Sequence, residues 1–175
     1  MDFIKDWFSN NIPMDLVLIS VGVLCLLLVF VLLKLNGSKA KQCSLILLFI
    51  EYVFLILCVT VICRSTYMGD PIELIPFYTY PDIWNKVEHP RYLFEALMNV
   101  ALFIPVGLLL TAIFHHKKCM SIVFIGAGIS AIIELLQLFT GRGLCETDDL
   151  IHNTLGCAIG YIVYRLLLKL KFKLL

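Results

Sequence analysis

Five long apolar runs follow one another along the chain, at residues 14–33, 43–63, 93–114, 121–140 and 150–168. Each is close to the roughly 20 residues that carry an α-helix across the hydrocarbon core of a bilayer. The pattern therefore predicts an all-α protein, a polytopic membrane helix bundle of about five transmembrane helices. Ahead of the first run, Phe3, Ile4, Trp7, Phe8 and Ile12 recur at i, i+3, i+4 spacing. That spacing predicts a short interfacial helix over residues 1–13, leading into a single transmembrane domain over 14–175. Nothing at the start reads as a cleavable signal, because the only early Lys lies between Asp2 and Asp6 and no small-residue cleavage site follows the first run.

Composition agrees with lipid as the solvent. The 175 residues are 61% hydrophobic and 15% charged, with a net charge of +1. A soluble domain is about 45 to 50% apolar and about 25% charged. The near-zero net charge argues against a nucleic-acid partner. Its distribution is more telling. The link between runs one and two (Lys34, Lys39, Lys41), the link between three and four (Lys117, Lys118) and the C-terminus (Arg165, Lys169, Lys171, Lys173) hold nine of the 14 basic residues and no acid. By the positive-inside tendency these are cytoplasmic, which places the N-terminus outside and the C-terminus inside. Residues 64–92 then form an outer loop, where Tyr67, Tyr78, Tyr80, Trp84 and Tyr92 suit an aromatic belt or a re-entrant hairpin.

Polar residues inside the runs are the candidates for chemistry. In the fourth run Gly126, Ser130, Glu134, Gln137 and Gly141 fall within an arc of about 80°, at about 100° per residue. In the fifth, Asp149, Asn153, Gly156 and Gly160 fall within an arc of about 60°, and Gly156 and Gly160 have the GxxxG spacing that lets backbones approach. These two faces are expected to touch. Glu95 and Asn99 share a face of the third run, ahead of Pro105 and Gly107, which are candidates for a kink. In the outer link, Glu134, Glu146, Asp148 and Asp149 face a single cation, Arg142, for a local charge of −3 if all are ionised. A low dielectric does not tolerate that bare, so either Glu134 is protonated, or Arg142 pairs with two carboxylates, or a cation enters.

Plainer roles compete at each position. Asp148 or Asp149 suits the N-cap of the fifth helix, Arg142 an interhelical tie, and Asn99 and Gln137 interhelical hydrogen bonds. Glu51, near the middle of the second run, is either a protonated buried acid or a relay group. Of seven cysteines, Cys25, Cys43, Cys58, Cys119 and Cys157 sit in or beside apolar runs as small hydrophobes, and Cys63 and Cys145 are the pair placed to meet at one membrane face. No zinc-type Cys/His spacing occurs, and the motifs require no cofactor.

Several stretches in order resemble the VanZ-like family of bacterial membrane proteins. They are ELIPFYTY at residues 73–80, NVALFIPVG at 99–107, IELLQLFTGRG at 133–143, DDLIHNTLG at 148–156 and IGY at 159–161, a core of about 64–165. The resemblance implies a multi-pass protein of the bacterial plasma membrane and, from the family's name-giving member, a role in resistance to teicoplanin-type glycopeptide antibiotics. Three functions stay open. One is a binding factor that holds a membrane lipid, a lipid-linked cell-wall precursor or a lipoglycopeptide in an outer-leaflet pocket built from Glu95, Asn99, Glu134, Gln137, Arg142, Asp148, Asp149 and Asn153. Another is an intramembrane enzyme acting on a lipid or lipid-linked substrate, with Glu134 or Asp149 as general base and, at most, a metal at Glu146, Asp148 and Asp149. No nucleophile elbow, HExxH or P-loop supports it. The last is a carrier with Glu51 and Glu134 as relay points, for which an oligomer would supply further helices.

Overall fold

The computed structural model describes Val23 and residues 38–64, 66, 68, 69, 72–77 and 89–173. The expected interfacial segment, and the first span apart from Val23, lie outside the described residues, as do Tyr67, Tyr78, Tyr80 and Trp84. The described chain forms four long helices: α1 (Ser38–Leu57), α2 (His89–Ile113), α3 (Cys119–Thr140) and α4 (Thr147–Lys173). All four are long and apolar enough to cross a membrane, α1 together with the π-helical turn Cys58–Ile62 that extends it. These elements match the second to fifth apolar runs to within about a turn. Outward-facing Phe54, Phe124, Ile132, Phe139 and Leu166 are more than half exposed, which lipid would solvate and water would not.

Contacts across the bundle set the helix directions. Ser130 of α3 meets Asn153 of α4, and Glu134 meets the Glu146 amide just ahead of α4, so these two helices are antiparallel. Val100 and Ile104 of α2 lie against Gly156 and Gly160 of α4, so that pair is parallel. A Cβ added at Gly156 would collide with the Val100 carbonyl, and one at Gly160 with the Ile104 carbonyl. The expected GxxxG contact is therefore real, but it serves α2 rather than the α3 face. Against α3, α4 instead presents Cys157, whose side chain fills the space left by Gly126, and Asn153.

Pro105 lies inside α2, which continues past it to Ile113. A proline frees the carbonyl one turn before it. Close by, the Tyr52 hydroxyl of α1 donates to the Leu102 carbonyl at 2.9 Å. Gly107 acts by close approach, since a Cβ there would meet the Cys157 backbone. Ile56, Phe103, Val106, Leu110, Ile122, Ile133 and Cys157 pack the centre.

One end of the bundle carries a polar cap. Ile72–Glu73 (β1) pairs in parallel with Cys145–Glu146 (β2), in register Ile72 with Cys145 and Glu73 with Glu146. The described part of the loop between α1 and α2 is thus a strand laid on the α3–α4 link, and four of the five aromatics expected to form a belt or hairpin lie outside the described residues. Side chains reinforce the strands: the Phe77 amide donates to Asp148 Oδ1 at 2.6 Å, and the Thr147 hydroxyl to the Leu74 carbonyl at 3.2 Å. Lys39, Lys41, Lys117, Lys118 and Lys169 lie at or near the opposite ends of their helices.

Candidate functional site

Beneath this cap the ends of all four helices converge on a small cleft. From α3 come Glu134 and Gln137, one turn apart and both buried; from α4 come Asp149 and Asn153; from α2 comes Asn99. Thr60 of the π-helical turn and Arg64 just beyond it complete the polar wall, and Leu102, Phe103 and Ile133 supply the apolar one. Five of the expected ligand-binding residues thus meet: Asn99, Glu134, Gln137, Asp149 and Asn153.

Hydrogen bonds hold the polar wall. Asn99 Nδ2 donates to Asp149 Oδ1 at 2.6 Å, joining α2 to α4. Asn153 Nδ2 donates to Ser130 Oγ at 2.9 Å, joining α4 to α3, and Gln137 Nε2 donates to the Thr60 carbonyl at 3.1 Å, joining α3 to α1. The Glu146 amide donates to Glu134 Oε2 at 3.1 Å, which pins the α3–α4 link to α3. Gln137 Oε1, by contrast, is buried without a hydrogen-bond partner.

Three expected members stand elsewhere. The Arg142 guanidinium hydrogen-bonds the Ile62 carbonyl. The physical reason is local: the end of α1 leaves carbonyls without helical donors, and Arg142 follows the left-handed cap residue Gly141 that ends α3. Arg142 is thus the interhelical tie, outside the cleft lining. Asp148 serves the Phe77 amide, and Glu95 stays outside the lining while its charge still reaches Glu146 and Asp149. Because α4 starts at Thr147, both aspartates belong to its first turn and neither is the N-cap.

The cation that sequence reasoning missed is Arg64, whose charge acts on Glu134, Glu146 and Asp149. Gly143, at φ 113°, makes room for it, since a Cβ there would lie 3.0 Å from Arg64 Nη1. The signal available was the excess of acids over Arg142, which called for a second cation at the same end. In the link, burial pushes the Glu146 carboxyl up to about 7, with Asp149, Glu95 and Asp148 adding to the shift and Arg64 opposing it. Burial likewise raises the Cys145 thiol, helped by Glu134, Asp149 and Glu146, so it stays protonated and weakly nucleophilic. Cys63 and Cys145 are both free thiols, so the pairing considered from sequence does not form. Among the described residues no three His, Cys, Asp or Glu side chains gather as a metal-ligand group, so Glu146, Asp148 and Asp149 do not assemble as the sequence allowed.

The fold and this site define a polytopic α-helical membrane protein with an acid-rich polar cleft at one end of its bundle. The chain matches the VanZ/LLP1 family over residues 20–168 and belongs to it. No curated protein and no solved structure matches it.

Proposed function

We propose that this protein is a bacterial plasma-membrane factor that contributes to tolerance of teicoplanin-type glycopeptide antibiotics by binding. Its ligand is an envelope lipid, a lipid-linked precursor or the lipoglycopeptide itself, held at the cleft of Glu134, Asp149 and Arg64. The observation that carries this reading is the convergence of polar side chains from all four described helices on one cleft with an apolar wall. An amphiphile needs that combination, and family membership supplies the physiological setting. The lysines near the opposite helix ends support a cytoplasmic placement for those ends and hence an outward-facing cleft. Glycopeptides act on that side of the membrane.

Binding is favoured over catalysis by the use of the hydroxyls. Thr60 donates to the Ile56 carbonyl, and Ser130 accepts from Asn153, so neither is paired with a base as a nucleophile would be. The test is antibiotic tolerance in cells that express Glu134→Gln, Asp149→Asn or Arg64→Ala at equal membrane levels. Loss of tolerance in all three is expected, and full tolerance in all three would refute the proposal.

A further inference from the structure

The chemistry of the cleft narrows what can enter it. Arg64 is the cation among its lining residues, opposed there by the carboxylates of Glu134 and Asp149, with Glu146 close by. An anionic group would meet more carboxyl groups than guanidinium there, whereas an entering cation would favour their ionised form. The side-chain amides point the same way. Asn99, Asn153 and Gln137 each turn an N–H toward a protein acceptor, respectively Asp149, Ser130 and the Thr60 carbonyl. Gln137 is 1% exposed, lines the cleft, and keeps its carbonyl oxygen buried without a donor. Leaving such an acceptor unmet carries its full desolvation cost, which a donor from a ligand would recover.

Size makes the second selection. The cleft encloses about 30 Å³, where one water needs roughly 10 to 15 Å³ by a comparable measure. It takes two or three water-sized groups. A sugar ring, a phosphate with its substituents or a trimethylammonium group is too large, whereas a primary ammonium is about the size of a water and carries only donors.

We propose that the cleft is a primary-ammonium site, which receives the –NH₃⁺ end of an amine between Glu134, Asp149 and the Gln137 carbonyl while the rest of the molecule stays outside. Two sources share that chemistry: an aminophospholipid head group of the outer leaflet, and a water-soluble amine. The inference rests on the binding reading above and specifies its ligand.

The test uses the full-length protein in nanodiscs that contain equal parts of ethanolamine-, choline- and glycerol-headgroup phospholipids, with retained lipid counted by native mass spectrometry. Ethanolamine lipid should be enriched at least fivefold over choline lipid, and Gln137→Met, which keeps the volume but removes the acceptor together with the Nε2 bond to the Thr60 carbonyl, should abolish most of that enrichment while the protein still melts cooperatively. A second arm adds ethylamine to protein in choline lipid alone. Thermal stabilisation by ethylamine but not by tetramethylammonium, without lipid enrichment, assigns the site to a soluble amine and upholds the proposal. Equal retention of the three lipids with no effect of ethylamine, or preference for the anionic lipid, overturns it. Tolerance lost in Glu134→Gln without any amine preference refutes this inference alone, and amine preference with undiminished tolerance refutes the resistance role alone.

Discussion

Two parts of one helix, α4, are built on opposite rules. Around Gly156 and Gly160 it lies so close to α2 that no Cβ fits between the backbones, and the contact is van der Waals packing. One to two turns earlier, at Asp149 and Asn153, the same helix borders a cleft and spends its side chains on hydrogen bonds to α2 and α3. Packing of this kind is intolerant of added volume, whereas a cleft lined by like charges gives up stability for its chemistry. The seam therefore acts as the frame that holds Asn99 of α2 against Asp149 of α4.

The largest expected effect comes from breaking the frame. Gly156→Leu forces α2 and α4 apart and should destabilise the protein by about 3 kcal/mol or more, at the upper end of overpacking costs. Folded protein in membranes, measured by thermal aggregation of the detergent extract, should fall severalfold. Gly128→Leu on α3 is the matched control, because nothing lies within 4 Å of a Cβ there, and it should be neutral. Equal losses in the two variants would show that α4 has no special closeness to α2.

The cleft should respond in the opposite sense. Asp149→Asn keeps an oxygen for Asn99 and removes a like charge beside Glu134 and Glu146, so the protein should be as stable as before or more so. Tolerance should be lost all the same. The two arginines should separate in the same manner: Arg64→Ala should remove tolerance with little change in stability. Arg142→Ala should retain tolerance while costing about 1 to 2 kcal/mol, the scale of a charged hydrogen bond to a carbonyl. A reversed pattern, measured by parallel tolerance and melting assays, would exchange the roles of the two residues.

How much of this was legible beforehand follows from the range of the contacts. Glu134 with Gln137 and Asp149 with Asn153 recur at helical spacing inside apolar runs, so period alone brought each pair to one face. Which face met which helix was harder. Gly156 reads as a packing residue in any sequence, but whether α2 or α3 fills the gap depends on how three helices share the space. Arg64 was hidden because it follows a π-helical turn and meets acids roughly 70 or more residues away, with no periodicity to link them. The β1–β2 pairing was illegible for a related reason. Two-residue strands are held by backbone groups and by Asp148 and Thr147, and side-chain alternation needs a longer run to show.

The smallest expected effect concerns pH, and it returns to the contrast between frame and cleft. Glu146 faces Asp149 and Asp148 of α4, Glu95 of α2, Glu134 of α3 and Arg64 beyond α1, and burial with the surrounding acids raises its carboxyl to about 7. Between the ordinary carboxylate range and pH 7 the folded protein then holds a proton that the unfolded chain has released, so stability falls as pH rises through this window. Below it both states are protonated and the contribution is fully present. The melting temperature should therefore decline from pH 5 to pH 8, and Glu146→Gln should flatten that decline without touching the seam. If the slope persists in Glu146→Gln but vanishes in Asp149→Asn, the proton resides on α4 itself rather than on the link above it, and the boundary between frame and cleft moves one turn deeper into the bundle.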